Sequence, residues 1–411
     1  KTRLLQEFRY RARGQAIFGS GKFAQLATEA QYGPLVQAVT QVVSWILSQG
    51  KEEMTAWKEK LETCLRTNLS LVAVMIPEIE QLTGQLPKIH VGSALEKEAR
   101  LRCALFQFIQ LLAAKDRPVV LILDDLQWAD RGSLQLIKGI LVECDLNHVL
   151  VLGSYREEEV PQDHIVRQLV SSLQKMGVRV QQLALGPVQQ EQIEQMVAST
   201  LCCSQKEAKP LARFVESQTG GNPLFIKEML YTLFRQRVLV YKPEGGGWRW
   251  DLSGAEGSLL GADVVELLLQ RIRLLPAADK KILCLAACGG THFNPEHVAA
   301  LAEQGLSTTL VSLGRLVEEG LLQHNSENDF SFAHDRVQQV AYQLLSSDSR
   351  PAIHYRLAQL LGAGRCPTEL LDKTERSLFL SAVNHLNLGL AVVRQRGEEL
   401  EAARINLAAG R

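Results

Sequence analysis

The stretch 118–130 constrains this chain more than any other. Five apolar residues in succession, Val119-Val120-Leu121-Ile122-Leu123, stop abruptly at two adjacent carboxylates, Asp124 and Asp125. A run of Val, Leu and Ile without polar alternation suits a parallel strand covered on both faces. Open α/β sheets gather their ligands at the carboxyl ends of such strands. There the first carboxylate can hold Mg²⁺ through oxygen, and the second can orient or deprotonate an attacking water, so the run reads as a Walker B strand. The competing reading is a buried strand whose acids merely cap the next helix.

A Walker B strand needs a phosphate-binding partner of the form G-x-x-x-x-G-K-[ST], in which Lys meets the β and γ phosphates and the hydroxyl meets Mg²⁺. Only the last two residues of that pattern open this chain, Lys1 and Thr2. They begin an amphipathic helix expected through Arg11, with Leu4, Leu5 and Phe8 on one face. Their weight comes from order: Lys-Thr, helix, a short strand expected at Gln15 to Phe18, then the Asp124 strand. Gly19-Ser20-Gly21-Lys22-Phe23 looks like a second phosphate loop, but Ala16 stands where its first glycine belongs and Phe23 has no hydroxyl. It is expected to be the turn after the Gln15–Phe18 strand, with a nucleotide contact by Lys22 the lesser reading.

At 411 residues the chain is long enough for two to four domains, since single cores seldom outgrow roughly 250 to 300 residues. Acidic and basic residues balance at 45 each, so no global field points to nucleic acid or an anionic membrane. The eight cysteines lack metal spacing and suit buried or incidental thiols in a reducing compartment, hence a cytoplasmic setting. No apolar stretch reaches the roughly 18 residues that span a bilayer, and the charged opening helix is no secretory signal. Beginning with Lys inside a motif, the chain is expected to be a fragment.

A further apolar run at His148–Ser154 is expected as a strand, and Val178–Leu185 as another before Gly186-Pro187. Arg156, just past the first of them, is placed to sense a γ-phosphate or, equally, to pair with Glu157, Glu158 or Glu159. The segment Tyr32–Leu112 has helical periodicity broken at Pro77 and Pro87, with Leu35, Val39, Val42, Val43 and Ile46 as core. Beyond Pro187 helices are expected at Gln189–Thr200 and Gln205–Gln218. Gly220-Gly221-Asn222-Pro223 then ends one helix and starts the next by ordinary capping. A hairpin-like Gly245–Trp250 precedes helices from Ala262, Ala277 and Pro295. A helix at Ser307–Glu318 leads into strands Leu321–His324 and Asp329–Phe332, the pattern of a winged helix. DNA binding by it is disfavoured, because Arg315 is set against Glu318 and Glu319 where a groove helix needs surplus cations. The tail from Lys373 reads as two helices, with Phe379, Val383, Leu386 and Leu388 apolar on one and Leu400, Ala403, Ile405 and Leu407 on the other. It is either the start of helical repeats or a closing hairpin.

Four motifs occur in an order that resembles STAND-type signal-transduction ATPases: Asp124-Asp125-Leu126-Gln127-Trp128-Ala129-Asp130, Gly153-Ser154-Tyr155-Arg156, Gly221-Asn222-Pro223-Leu224-Phe225 and Phe332-Ala333-His334-Asp335-Arg336-Val337-Gln338-Gln339. The likeness is greatest to the AAA-type, origin-recognition-like module of large bacterial signalling proteins, where it lies between a serine/threonine kinase domain and sensor or histidine-kinase domains. It implies an α/β P-loop NTPase at 1–185, a parallel sheet with helices on both faces that lacks its first strand and phosphate-loop glycines. It also implies a helical lid at 186–250, a winged helix at 251–350 and the start of helical repeats at 351–411. Loss of the central first strand would expose unpaired edges on its neighbours.

By the same resemblance, Lys1 would contact the β and γ phosphates, Thr2 and Asp124 would hold Mg²⁺, Asp125 would assist hydrolysis and Arg156 would sense the γ-phosphate. Gly221 and Pro223 match the lid motif, with Pro223 against the base, and His334 with Asp335 resembles a pair that clamps ADP from the winged helix. His334 could equally be a core histidine at a helix start, bonded to backbone. The expectation is an ATP/ADP-switched regulatory module with slow hydrolysis, responding with flanking kinase or sensor domains of the same polypeptide and self-associating on ATP binding. It makes no direct contact with nucleic acid and has no membrane segment. The alternatives are a catalytically weak scaffold that recruits partners through its repeats, and an ATP-dependent transcription regulator.

Overall fold

The computed structural model describes residues 1–24, 32–66, 68–87, 94–113, 117–143, 148–242, 247–252, 264–326, 328–362 and 373–409. Two compact units emerge, one of Lys1–Gln182 with His354–Arg411 and one of Leu183–Ile353.

The first unit is built on a parallel sheet of β1 (Ile17–Lys22), β2 (Val119–Asp124) and β3 (Val149–Gly153), in the order β1-β2-β3. All six residues of the central strand β2 are buried, as its unbroken apolar run demands. Register pairs Lys22 with Asp124 and Leu123 with Gly153, so the three carboxyl ends share one edge. Helix α1 (Thr2–Arg11) meets one face of β1, Phe8 lying edge-on to Phe18 at 5.9 Å. Helix α2 (Gly33–Leu47) packs on the other face and sends Leu35, Val39, Val42, Val43 and Ile46 into the core, each at most 1% exposed. Pro77 opens a 3-10 turn, as its missing N–H and fixed φ favour.

Two expectations for this unit are corrected. The first strand begins two residues later than Gln15 and runs on through Gly19-Ser20-Gly21-Lys22, which is therefore strand and not a turn or loop. The reason is close packing. A Cβ on Gly19 would stand 2.0 Å from the Ala38 carbonyl oxygen, and one on Gly21 would stand 1.8 Å from that of Pro34. Only glycine lets the α2 backbone lie that near the strand. Val178–Leu185 is not a strand at all: it has no ladder partner among the described residues, and Leu183 and Leu185 are 75% and 48% exposed.

The tail helices Lys373–Leu388 and Glu399–Ala409 exist, with a short helix Leu390–Arg396 between them. Phe379, Val383, Leu386, Ala402 and Ile405 are buried, whereas Leu388, Leu400 and Leu407 are exposed, so the apolar faces are narrower than their composition suggests. His354 and His385 stack here in full burial, their Nδ1 atoms 3.0 Å apart.

In the second unit the helices Gln190–Leu201, Gln205–Thr219 and Pro223–Arg235 share one core. Strands β4 (Leu239–Lys242) and β5 (Gly247–Trp250) form an antiparallel pair, and Gly245 and Gly246 of the expected hairpin lie outside the described residues. The helix expected from Ala262 is described from Val264 to Arg273. Helices Ala277–Cys288, Pro295–Ala302 and Leu306–Glu318 accompany a three-stranded antiparallel sheet. Its order is β6 (His292–Phe293), β8 (Asp329–Phe332), β7 (Leu322–Ser326), and the two-residue β6 is too short to read from sequence.

Arg315 has a closer acidic partner than Glu318 or Glu319. It grips the buried Asp279 with two hydrogen bonds of 2.8 and 2.5 Å. Glu319 instead accepts from Tyr231 and Arg235, while Arg271 pairs with the buried Glu228 at 2.6 Å and stacks over the Tyr231 ring. The Asp279 carboxylate in this pair is buried, whereas the Arg315 side chain stays about half exposed.

Candidate functional site

The site forms where β2 runs out. Asp124 is 5% exposed, and its Oδ2 accepts a 2.6 Å hydrogen bond from the Thr2 hydroxyl, across 122 positions of sequence. Its Oδ1 accepts from the Ser154 hydroxyl and, at 3.2 Å, from the Asp125 amide. All these donors are neutral, and Asp124 has no cationic partner among the described residues. A buried carboxylate held only by neutral donors keeps an unbalanced charge, which a bound cation would offset.

Asp125 is arranged differently. It turns the chain in the left-handed region at φ 57°, and its carboxylate, also buried, accepts from Gln127 Nε2 at 3.0 Å. Two cations flank it, Lys22 Nζ at 3.5 Å and Arg156 Nε at 3.7 Å. Arg156 follows β3, donates its backbone N–H to Gln127 Oε1 at 3.2 Å and also pairs with Glu159 at 3.1 Å. The pairing of Arg156 with a neighbouring glutamate is therefore present, at Glu159. The neighbouring acids thus divide the electrostatics, one shielded by hydroxyls and one braced by cations.

Thr2, Asp124, Asp125 and Arg156, all anticipated, come together. Ser154, Lys22 and Gln127 join them and were missed as a cluster. Ser154 stands in the motif Gly153-Ser154-Tyr155-Arg156 with no role assigned to it, and Lys22 only within a misread glycine motif. Lys1 is the exposed N-cap of α1, so it stands at the positive end of the helix dipole, where anions are favoured.

The donor set suits a hard divalent cation. A hydroxyl oxygen and a carboxylate oxygen converge within 2.6 Å, the oxygen-only environment that Mg²⁺ takes. Among the described residues no three His, Cys, Asp or Glu side chains form a metal cage, and Mg²⁺ characteristically completes its shell with water and phosphate oxygens. The buried thiols are unsuited to any such role, because burial pushes Cys284 up to about 11 and Cys288 up to about 12.

The remaining candidates belong to the second unit. Gly221 has φ 73°, and a Cβ there would stand 2.5 Å from the Val188 carbonyl oxygen. Pro223 occupies the first helical turn, and Asn222 caps it by accepting the Leu224 amide at 3.0 Å. His334 is the N-cap of helix Asp335–Gln343, its Nδ1 accepting the Arg336 amide at 3.1 Å. That bond leaves Nε2 as the protonated nitrogen of the neutral ring, a donor.

Against this geometry the likenesses to known proteins can be set. Residues 1–152 match the AAA ATPase domain family, and residues 189–241 match a domain of unknown function, DUF8739. Over 521 aligned positions the chain is 22% identical to hybrid signal transduction histidine kinase G of Dictyostelium discoideum, covering 100% of this chain and 15% of that protein. It is 25% identical to the peroxide stress-activated histidine kinase mak2 of Schizosaccharomyces pombe, covering 89% of this chain and 16% of that one. Both relatives are thus far longer than this chain. Among solved structures, a signal transduction ATPase with numerous domains (STAND) carrying a tetratricopeptide repeat sensor, from Pyrococcus horikoshii, aligns with TM-score 0.43 and 12% identity over 98% of this chain and 52% of that one. No helix among the described residues is long and apolar enough to cross a membrane. The parallel sheet with flanking helices, followed by helix-rich regions, is a P-loop NTPase architecture of the α/β class. Residues 1–152 are thus similar to AAA ATPase domains, and the chain as a whole is similar to parts of two much longer histidine kinases.

Proposed function

We propose that this chain is an ATP/ADP-binding regulatory switch with slow hydrolysis inside a multidomain signalling protein. The observation that carries the reading is the 2.6 Å bond between Thr2, which we read as the end of a phosphate loop, and Asp124 at the end of the acidic strand. Thr2 and Asp124 would hold Mg²⁺, which when bound supplies charge neutralisation at the phosphates. Lys1 would reach the β and γ phosphates from the start of α1. Asp125, braced by Gln127, would orient the attacking water and accept its proton. Arg156, next to Asp125, would answer to the γ-phosphate and so report which nucleotide is bound.

The second unit supplies the response. We read residues 186–250 as the lid, with Gly221 and Pro223 as its motif, and 251–350 as a winged helix whose His334 would serve ADP binding. A contact made only in the ADP-bound form favours that form, and exchange for ATP releases it. Residues from 351 would begin the helical repeats, and the responding kinase or sensor domains would lie in the same polypeptide. Self-association on ATP binding and a cytoplasmic setting belong to the same reading.

The test separates the two acids in a longer form of the protein that supplies phosphate-loop glycines ahead of Lys1. Asp124→Asn should weaken Mg²⁺-dependent ATP binding at least tenfold, while Asp125→Asn should bind normally and release phosphate at least tenfold more slowly. Filter binding and phosphate release read the two effects. Normal hydrolysis by both variants would sink the assignment. Undiminished partner recruitment without hydrolysis in the unaltered protein would favour the scaffold reading instead.

A further inference from the structure

A second recognition surface lies at the opposite end of α1 from Thr2. A cleft of about 910 Å³ opens there between the last turns of α1, the start of β1 and the side of α2. Arg9, Arg13 and Arg117 line it together with Tyr10, Phe18 and Trp45, and no Asp or Glu is among its lining residues. Arg117 is held by Glu53 at 3.4 Å, from outside the cleft. Arg9 touches only the neutral Ser20 hydroxyl, at 3.3 Å, and Arg13 has no acidic partner among the described residues. In a chain whose charges balance overall, this is a local excess of positive charge with aromatic faces beside it.

The floor of the cleft is a strand edge. In the β1–β2 ladder the amides of Ile17 and Phe23 donate to Pro118 and Asp124, so the odd-numbered residues of β1 point inward to β2. Phe18 and Ser20 therefore present their N–H and C=O groups outward, where β1 has no neighbouring strand among the described residues. At Ser20 the chain covers that edge: Gln41 accepts the Ser20 amide at 3.2 Å and donates to its carbonyl at 3.0 Å, imitating one rung of a ladder. No such substitute covers Phe18 among the described residues. An open edge next to cationic side chains is a template for an extended, negatively charged segment.

We propose that this cleft binds an acidic peptide in extended conformation, which pairs with β1 at Phe18, sets carboxylates on Arg9 and Arg13, and packs alternate apolar side chains beside Tyr10 and Trp45. The site lies away from the carboxyl edge of the sheet and so is separate from the nucleotide site. Helix α1 joins the two, with Thr2 at one end and Arg9 near the other.

Fluorescence anisotropy with the full 411-residue chain and a labelled peptide alternating Glu and Val tests the proposal. The peptide should bind, its Lys-Val counterpart should not, and affinity should fall steeply with salt. Reversing both Arg9 and Arg13 to Glu should weaken binding at least tenfold, whereas Lys175→Glu should leave it unchanged. Methylating alternate backbone nitrogens of the peptide should also cost at least tenfold, and this arm needs no protein variant should the reversed one misfold. Absence of binding, equal affinity for the methylated peptide, or indifference of a folded Arg9/Arg13 variant would each overturn the proposal. So would displacement of the peptide by inorganic pyrophosphate at or below the peptide's own dissociation constant, which would make the cleft a phosphate site.

Discussion

The candidate residues of the two units resemble the same kind of ATPase, yet different forces hold them. In the first unit Thr2, Asp124, Ser154, Asp125 and Arg156 are brought together by contacts far apart in sequence, and buried carboxylates are matched to hydroxyls or cations. In the second, Gly221, Pro223 and His334 each serve the backbone nearby, as a tight turn, a first helical residue and an N-cap. A polar cluster that places charge in the interior costs stability and asks for a ligand to repay it. A cap or a turn stabilises its own helix whether or not a ligand ever binds. Nucleotide chemistry is thus the economical account of the first set, while the second set needs an experiment that removes the local role without removing the side chain's reach.

The largest effect should come from the scaffold that carries the first set. In Gly21→Ala the new methyl would stand 1.8 Å from the Pro34 carbonyl oxygen, so the α2 backbone itself must move. We expect a loss of about 3 kcal/mol or more in denaturant unfolding, the range of overpacked core positions. Unchanged stability would mean that Gly19-Ser20-Gly21-Lys22 is not packed strand and would reopen its reading as a phosphate loop.

His334 sharpens the comparison from the other side. His334→Ala should cost about 1 kcal/mol through the lost cap. His334→Asn should restore most of that, since Asn also caps. If the ring also clamps ADP, both variants should release a fluorescent ADP analogue faster, by about tenfold or more for one lost hydrogen bond to a charged group. Release restored by Asn together with stability would leave His334 a cap and nothing further.

The smallest effect concerns pH in the second unit. Hydrogen bonds from Arg315, aided by Ser312, hold the Asp279 carboxyl below its usual range against the opposing pull of burial. A depressed folded value means that its contribution is present above the unfolded value of about 3.9 and disappears as pH falls through the folded one. The melting temperature should therefore drop on acidification below about pH 4, and Asp279→Asn should flatten that slope. An identical slope in the variant would show that Arg315 contributes nothing through this pair.

Legibility in the sequence followed the range of the interactions. The Asp124 strand, the α2 core and the caps at Asn222 and His334 are written in consecutive or regularly spaced residues, and the sequence reading placed them. Ser154 and Lys22 meet Asp124 and Asp125 only through sheet register, which no local pattern encodes. The glycines at 19 and 21 were misread as a turn because tight turns and a helix lying on a strand both favour a missing Cβ. Val178–Leu185 was misread because its Val and Leu residues suit a strand only when a neighbouring strand is at hand to pair with it.

The central claim is that Thr2 and Asp124 hold one Mg²⁺ between them, and a double-mutant cycle on Mg²⁺-dependent ATP affinity tests it most directly. Thr2→Val, Asp124→Asn and their combination would be titrated in the longer protein that supplies the phosphate-loop glycines. Side chains that share one ion fail together, so the double variant should bind about as weakly as Asp124→Asn alone, with a coupling of about 1 kcal/mol or more. Independent losses that simply add, or a Thr2→Val protein that binds Mg²⁺-ATP normally, would contradict the account.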